Sequence, residues 1–92
     1  MQTQTQIPLV HEVVKVKPGV YVVYSIRNNE YVFAQVIGVR HINSSVTENV
    51  YLGYVTKEEL CETTPEGMIV RCTPNKMKNV KKAALEFARK LA

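Results

Sequence analysis

Aspartate does not occur in this 92-residue sequence; all eight acidic residues are Glu. That excludes a Ser-His-Asp triad and a metal-binding Asp-Asp-Glu nuclease core. Histidine is nearly as scarce, at His11 and His41. A Glu-based triad would need one of them beside a serine, and His41 near Ser44 and Ser45 is the obvious pairing. A loop histidine among loop serines is far more often plain polarity. Cys61 or Cys72 with His41 is the thiol version of the same pairing. Two cysteines are too few for a disulfide framework and form no Cys-x-x-Cys pair, so they read as buried free thiols in a reducing cytoplasm. Four scattered His and Cys residues do not make a tetrahedral metal site. There is no Gly-rich phosphate loop, no Gly-x-Ser-x-Gly elbow and no His-Glu-x-x-His. The expectation is therefore no catalytic residues, no metal or other cofactor and no small-molecule substrate. No apolar run approaches the roughly 20 residues that cross a bilayer. Met1 to Gln6 lacks the basic and apolar regions of a secretory leader, so residues 1–8 read as a loose tail and the cytoplasm as the location.

What is present reads as a single α+β domain over residues 9–92. Hydrophobic and charged fractions of 46% and 22% are globular proportions, and a chain this short holds one small core. Strands are expected at Glu12–Lys17, Val20–Arg27, Tyr31–Arg40, Asn49–Val55 and Met68–Cys72, because β-branched and aromatic residues concentrate there. Pro18-Gly19 and Asn28-Asn29 are turn pairs, and Gly38 suggests a bulge. His41 to Glu48 reads as a loop. Thr56-Lys57-Glu58-Glu59 has capping-box spacing and predicts a short helical turn through Glu62, stopped by Thr63 to Gly67. Thr73-Pro74 predicts an N-cap and first residue for a helix over 74–91. Met77, Val80, Ala84, Phe87, Ala88 and Leu91 then form its apolar stripe. The sum is a small antiparallel sheet of four to five strands, closed or partly closed, with a C-terminal amphipathic helix.

Charge is segregated. Residues 76–92 hold six Lys or Arg and one Glu, a net +5, whereas the rest of the chain holds six and seven, a net −1. On the helix, Lys78, Lys82 and Arg89 fall opposite the apolar stripe, with Lys81 at its border. A single acid leaves little for i,i+4 pairing, and so segregated a basic element points to an anionic partner. Of the five tyrosines, Tyr21 and Tyr24 fall on opposite sheet faces by alternation, as do Tyr51 and Tyr54. Those left outside the core are candidate stacking platforms for bases.

The "VKPGVYVVY…YVFAQVIGV" stretch, within Val14 to Cys72, resembles the opening hairpin of SH3-like small barrels such as Tudor and KOW domains. A terminal helix on such a barrel is similar to small archaeal chromatin proteins. "YLGYVTKEE" is similar to the strand end and helix start in N-terminal domains of some transposases and integrases, although the long "RHINSSVTE" connection departs from their short basic turns. Both resemblances imply nucleic acid. The expected function is thus a non-enzymatic nucleic-acid-binding module, with DNA as partner. Lys78, Lys81, Lys82 and Arg89 would contact phosphates, and Arg27 and Arg40 at hairpin ends would extend the footprint. The alternative is an assembly module, a homodimer paired through the edge strand Glu12–Lys17 with the basic helix face merely solvated. A membrane-surface helix is not expected, since the apolar face carries small alanines and only one aromatic, a poor wedge for lipid.

Overall fold

The computed structural model describes residues 8–63 and 70–91. Six strands form one antiparallel meander in sequence order. They are β1 (Val10–Lys17), β2 (Val20–Arg27), β3 (Glu30–Asn43), β4 (Val46–Thr56), β5 (Glu59–Thr63) and β6 (Val70–Pro74), followed by helix α1 (Val80–Lys90). The sheet is open, and β1 and β6 are its two edges. The expectation of four to five strands is therefore one short, and the expected closure into a barrel does not occur.

Local turn chemistry explains the first two hairpins. Asn28 and Asn29 both adopt positive φ, 54° and 63°, the requirement of the two-residue turn whose twist matches the strands. Gly19, at φ 80°, follows Pro18 in a turn that closes Lys17 onto Val20. The next two connections depart from expectation. His41 to Glu48 is not a loop but the tip of the β3–β4 hairpin, in which Arg40 faces Glu48 and Asn43 faces Val46. Asn43 Oδ1 accepts from the Ser45 N–H (2.9 Å) and hydroxyl (3.1 Å), which builds the turn. His41 to Thr47 are exposed throughout, so no one-sided apolar pattern marks them as strand. The helical turn expected after Thr56 is strand β5 instead. Thr56 Oγ does accept the Glu59 N–H at 3.0 Å, as a cap would, and also that of Glu58. The same bonds close a hairpin, and the chain beyond pairs with β4.

Thr73 and Pro74 do not start the helix. They pair with Leu60 and Glu59 at the end of β6, an edge position that proline tolerates. The helix begins six residues later than expected. Asn79 is the N-cap, its side chain accepting from the Lys82 N–H at 3.1 Å. Val80, Ala83, Ala84, Phe87 and Ala88 form the buried face, and Leu91 packs against the core. Met77, expected on that stripe, precedes the helix and is 41% exposed. The core lies between α1 and one sheet face, where Val20, Val22, Tyr24, Ala34, Val36 and Val55 are buried. Thr63, expected to begin a stop that runs to Gly67, is the last residue of β5. The rest of that stop, residues 1–7 of the expected tail and the start of the Met68–Cys72 strand lie outside the described residues.

The cysteines require a correction. Cys61 and Cys72 are paired across β5 and β6 and form a disulfide, not free thiols. Only strand pairing brings them together, because their separation of 11 residues carries no disulfide signature. The bond ties the edge strand β6 to the sheet. Closing so short a loop limits the unfolded chain, so Cys61→Ala/Cys72→Ala should lose about 2–3 kcal/mol. Peptide mapping without reductant should recover the two cysteines linked; two free thiols in the oxidised protein would refute the pairing. The cytoplasmic expectation rested in part on free thiols, and a structural disulfide removes that part of its ground.

Candidate nucleic-acid interface

The basic segment is built from a loop and a helix. Asn75 ties the loop to the β4–β5 turn: its N–H donates to Glu58 O at 3.1 Å and its side chain donates to Thr56 O. Lys78 lies in this loop, not on the helix, at φ 54°. Asn79 then starts α1, which puts Lys81 and Lys82 in a first turn that contains no acid. Arg89 and Lys90 occupy the last turn. Lys82 and Arg89 share the outward stripe, seven residues or about 10 Å apart, with half-buried Leu85 and Glu86 between them. Lys17, on β1, reaches the same helix end, where its Nζ donates to Arg89 O at 3.4 Å.

The sign of the first-turn charges matters. The helix dipole is positive at its N-terminus, so lysines there are unfavourable unless an anion compensates. Among the described residues the ion pairs are Arg40–Glu48 and Lys57–Glu30. None involves the cations between Lys76 and Lys90. Lys81 has a different neighbour, its Nζ standing 5.1 Å from the centroid of the Tyr31 ring.

The remaining candidates divide by position. A groove of about 310 Å³, lined by Asn29, Glu30, Tyr31, Lys57, Lys78 and Asn79, joins the β2–β3 turn to the start of α1. Arg27, exposed and paired with Glu30, sits at this end. Arg40 projects from the opposite end of the sheet and is held by Glu48. The fold thus brings Lys78, Lys81 and Lys82 together, sets Arg27 near them, and leaves Arg40 apart. Lys17 and Lys57 join the same surface, and no periodicity within the helix could have found them.

The tyrosines separate by face. Tyr24 and Tyr31 lie on the helix side, edge to face with centroids 5.1 Å apart. Tyr24 donates to Lys81 O (3.2 Å) and Tyr31 to Glu12 (3.0 Å). Burial, then the neighbouring Tyr31 and Glu12, push the Tyr24 hydroxyl up to about 12. Tyr21 lies on the opposite, outer face, as alternation predicts. Tyr51 and Tyr54, expected on opposite faces, share that outer face. The register slips between Val36 and Ile37, so Tyr54 pairs with Gln35 and Tyr51 with Ile37 while Leu52 is left over as a bulge. Desolvation raises both hydroxyls, and the Glu59 carboxylate, hydrogen-bonded to Tyr54, raises that one further.

Other potential chemistry is modest. His11 faces Ser25 across β1 and β2, Nδ1 to Oγ 3.2 Å, and among the described residues no third group bonds to the ring. Ser45 bonds to Asn43, and no described hydrogen bond reaches His41. Glu59 lies with Cys61 and Cys72, their ligand atoms within 4.8 Å, but the sulfurs are bonded to each other and offer no thiolate. Among the described residues, no helix is long and apolar enough to cross a membrane. No protein-family model, curated protein or solved structure matches the chain.

Proposed function

We propose that this chain is a small nucleic-acid-binding module that takes DNA phosphates on the exposed side of its C-terminal helix. The observation that carries this reading is the set of cations from Lys76 to Lys90 that have no carboxylate partner among the described residues, two of them in a helix first turn where they oppose the dipole. Phosphates there would satisfy both the side chains and the helix terminus. Lys78, Lys81 and Lys82 form one end of the footprint, with Lys57 and Arg27 beside them, and Arg89, Lys90 and Lys17 form the other. Contacts of this kind are to backbone and carry no base readout, so binding is largely independent of sequence. The resemblance to small nucleic-acid-binding barrels and transposase sheet domains belongs to the same proposal.

Salt dependence tests it. On duplex DNA, log K falls with log salt by about 0.9 per phosphate neutralised. Changing Lys78, Lys82 and Arg89 together to Gln should weaken binding on all sequences alike and flatten that slope by about 2–3. The three side chains are exposed, so stability should stay within about 0.5 kcal/mol per site. A folded triple variant with an unchanged slope would return the helix to the role of a solvated core element.

A further inference from the structure

Only one face of the sheet is covered by the helix. The register assigns Val13, Tyr21, Val23, Phe33, Ile37 and Tyr51 to the other face. Val39 and Tyr54 extend it, and the Phe33 and Tyr54 rings lie 5.6 Å apart. Apolar and aromatic side chains on both faces are the mark of a sheet that is covered twice, not of one with a wet back. Val13 is 63% exposed and Tyr51 42% exposed, so among the described residues this surface is open in the single chain.

We infer that this outer face is a homodimer interface, in which two copies pack sheet against sheet about a two-fold axis. Three features select a second copy as the occupant. Its area fits: five strands about 4.8 Å apart and about eight residues long span roughly 600 Å² before side-chain relief is counted. That approaches the roughly 800 Å² per partner of a stable interface. Its charge fits as well. Lys15, on the edge strand β1, is the one Lys or Arg that the register places on this face between the strand ends, and the acid Glu59 is already bonded to Tyr54. A polyanion finds almost nothing there, whereas a near-neutral apolar face meets its own copy without repulsion although the chain is +4 overall. The third feature is symmetry. His11 on β1 and Glu59 on β5 lie at the same level, following the His11–Ser25–Phe33–Thr56 row, and on opposite sides of β3. A two-fold axis along β3 sets the imidazole of each copy toward the carboxylate of the other, as an isologous interface requires.

This contact is distinct from edge pairing through β1, and it leaves the basic helices on the two outer sides of the dimer. It does not depend on whether they bind DNA. The test is sedimentation equilibrium of the full chain from about 1 to 100 µM, which spans ordinary dimer affinities. The expected result is twice the chain mass, shifting toward monomer on dilution. Val13→Glu/Tyr51→Glu places charges at two positions already exposed in the monomer, so far-UV circular dichroism should be unchanged. The dimer dissociation constant should rise at least about a hundredfold, because buried unpaired carboxylates are costly. A monomer at the highest concentration would overturn the inference. So would a dimer indifferent to both substitutions, which would move the contact to the β1 edge. A monomer whose outer face binds oligo(dT), with binding lost in the double variant, would give the surface to bases instead and equally refute it.

Discussion

Truncation of Phe87 to Ala should cost about 3–5 kcal/mol, a large part of the roughly 5–15 kcal/mol that holds a domain of this size together. Phe87 is the largest side chain that the helix contributes to the core, and it is only 7% exposed. The rest of the buried helix face is Val80 and three alanines, which bring the helix close to the sheet but fill little volume. Without the ring, a cavity would open between α1 and β4 that its small neighbours cannot fill. A urea melt checks this. At an m-value near 1 kcal/mol/M for a small domain, the midpoint should fall by several molar or the protein should be unfolded in buffer. A midpoint within about 0.5 M of wild type would show that the helix is not packed through this residue.

Replacing Gly53 with Ala should cost about 4 kcal/mol, combining backbone strain and overpacking at one site. Gly53 has φ 153°, a conformation that side-chain-bearing residues rarely adopt. An added Cβ would collide with the Cys61 carbonyl oxygen and stand 2.9 Å from two carbons of the Phe87 ring. Neither obstacle yields easily, since the carbonyl belongs to the neighbouring strand and the ring is the core anchor. Gly38 supplies the contrast. A Cβ there meets the end of the Leu52 side chain at 3.0 Å, which can rotate, and its backbone is not in the positive-φ range. Gly38→Ala should therefore cost no more than about 1–2 kcal/mol. Equal costs at the two glycines in parallel urea melts would refute the close packing of Phe87 on Gly53.

Local chemistry made some elements legible. β2 runs from Val20 to Arg27 as expected because a β-branched run is bounded by two turn pairs, each closing its hairpin through its own preferred φ. The apolar stripe of α1 was visible because 3.6-residue periodicity needs no knowledge of the partner. The basic candidates were harder. Lys82 and Arg89 share the outward stripe, but Lys78 precedes the helix and Arg40 is held by Glu48 at the far end of the sheet. Lys17 reaches the same surface from β1, and Lys57 from the β4–β5 turn.

By itself, then, the sequence determined an α+β domain with a basic, amphipathic C-terminal helix, and it determined where the first two hairpins turn. These depend on residues within a few positions of one another. Tertiary structure decided the rest. A threonine hydroxyl on an N–H three residues ahead caps a helix or closes a hairpin with nearly the same bond, and the pairing of β5 with β4 chose the hairpin at Thr56. The Cys61–Cys72 bond depends on β5–β6 register, a contact between strands and not a spacing. The bulge at Leu52 depends on matching β4 to β3, yet it decides on which face Tyr51 emerges. One unpaired residue reverses the side-chain alternation of everything beyond it, and so an apolar outer face was assembled that the period of neither strand could announce.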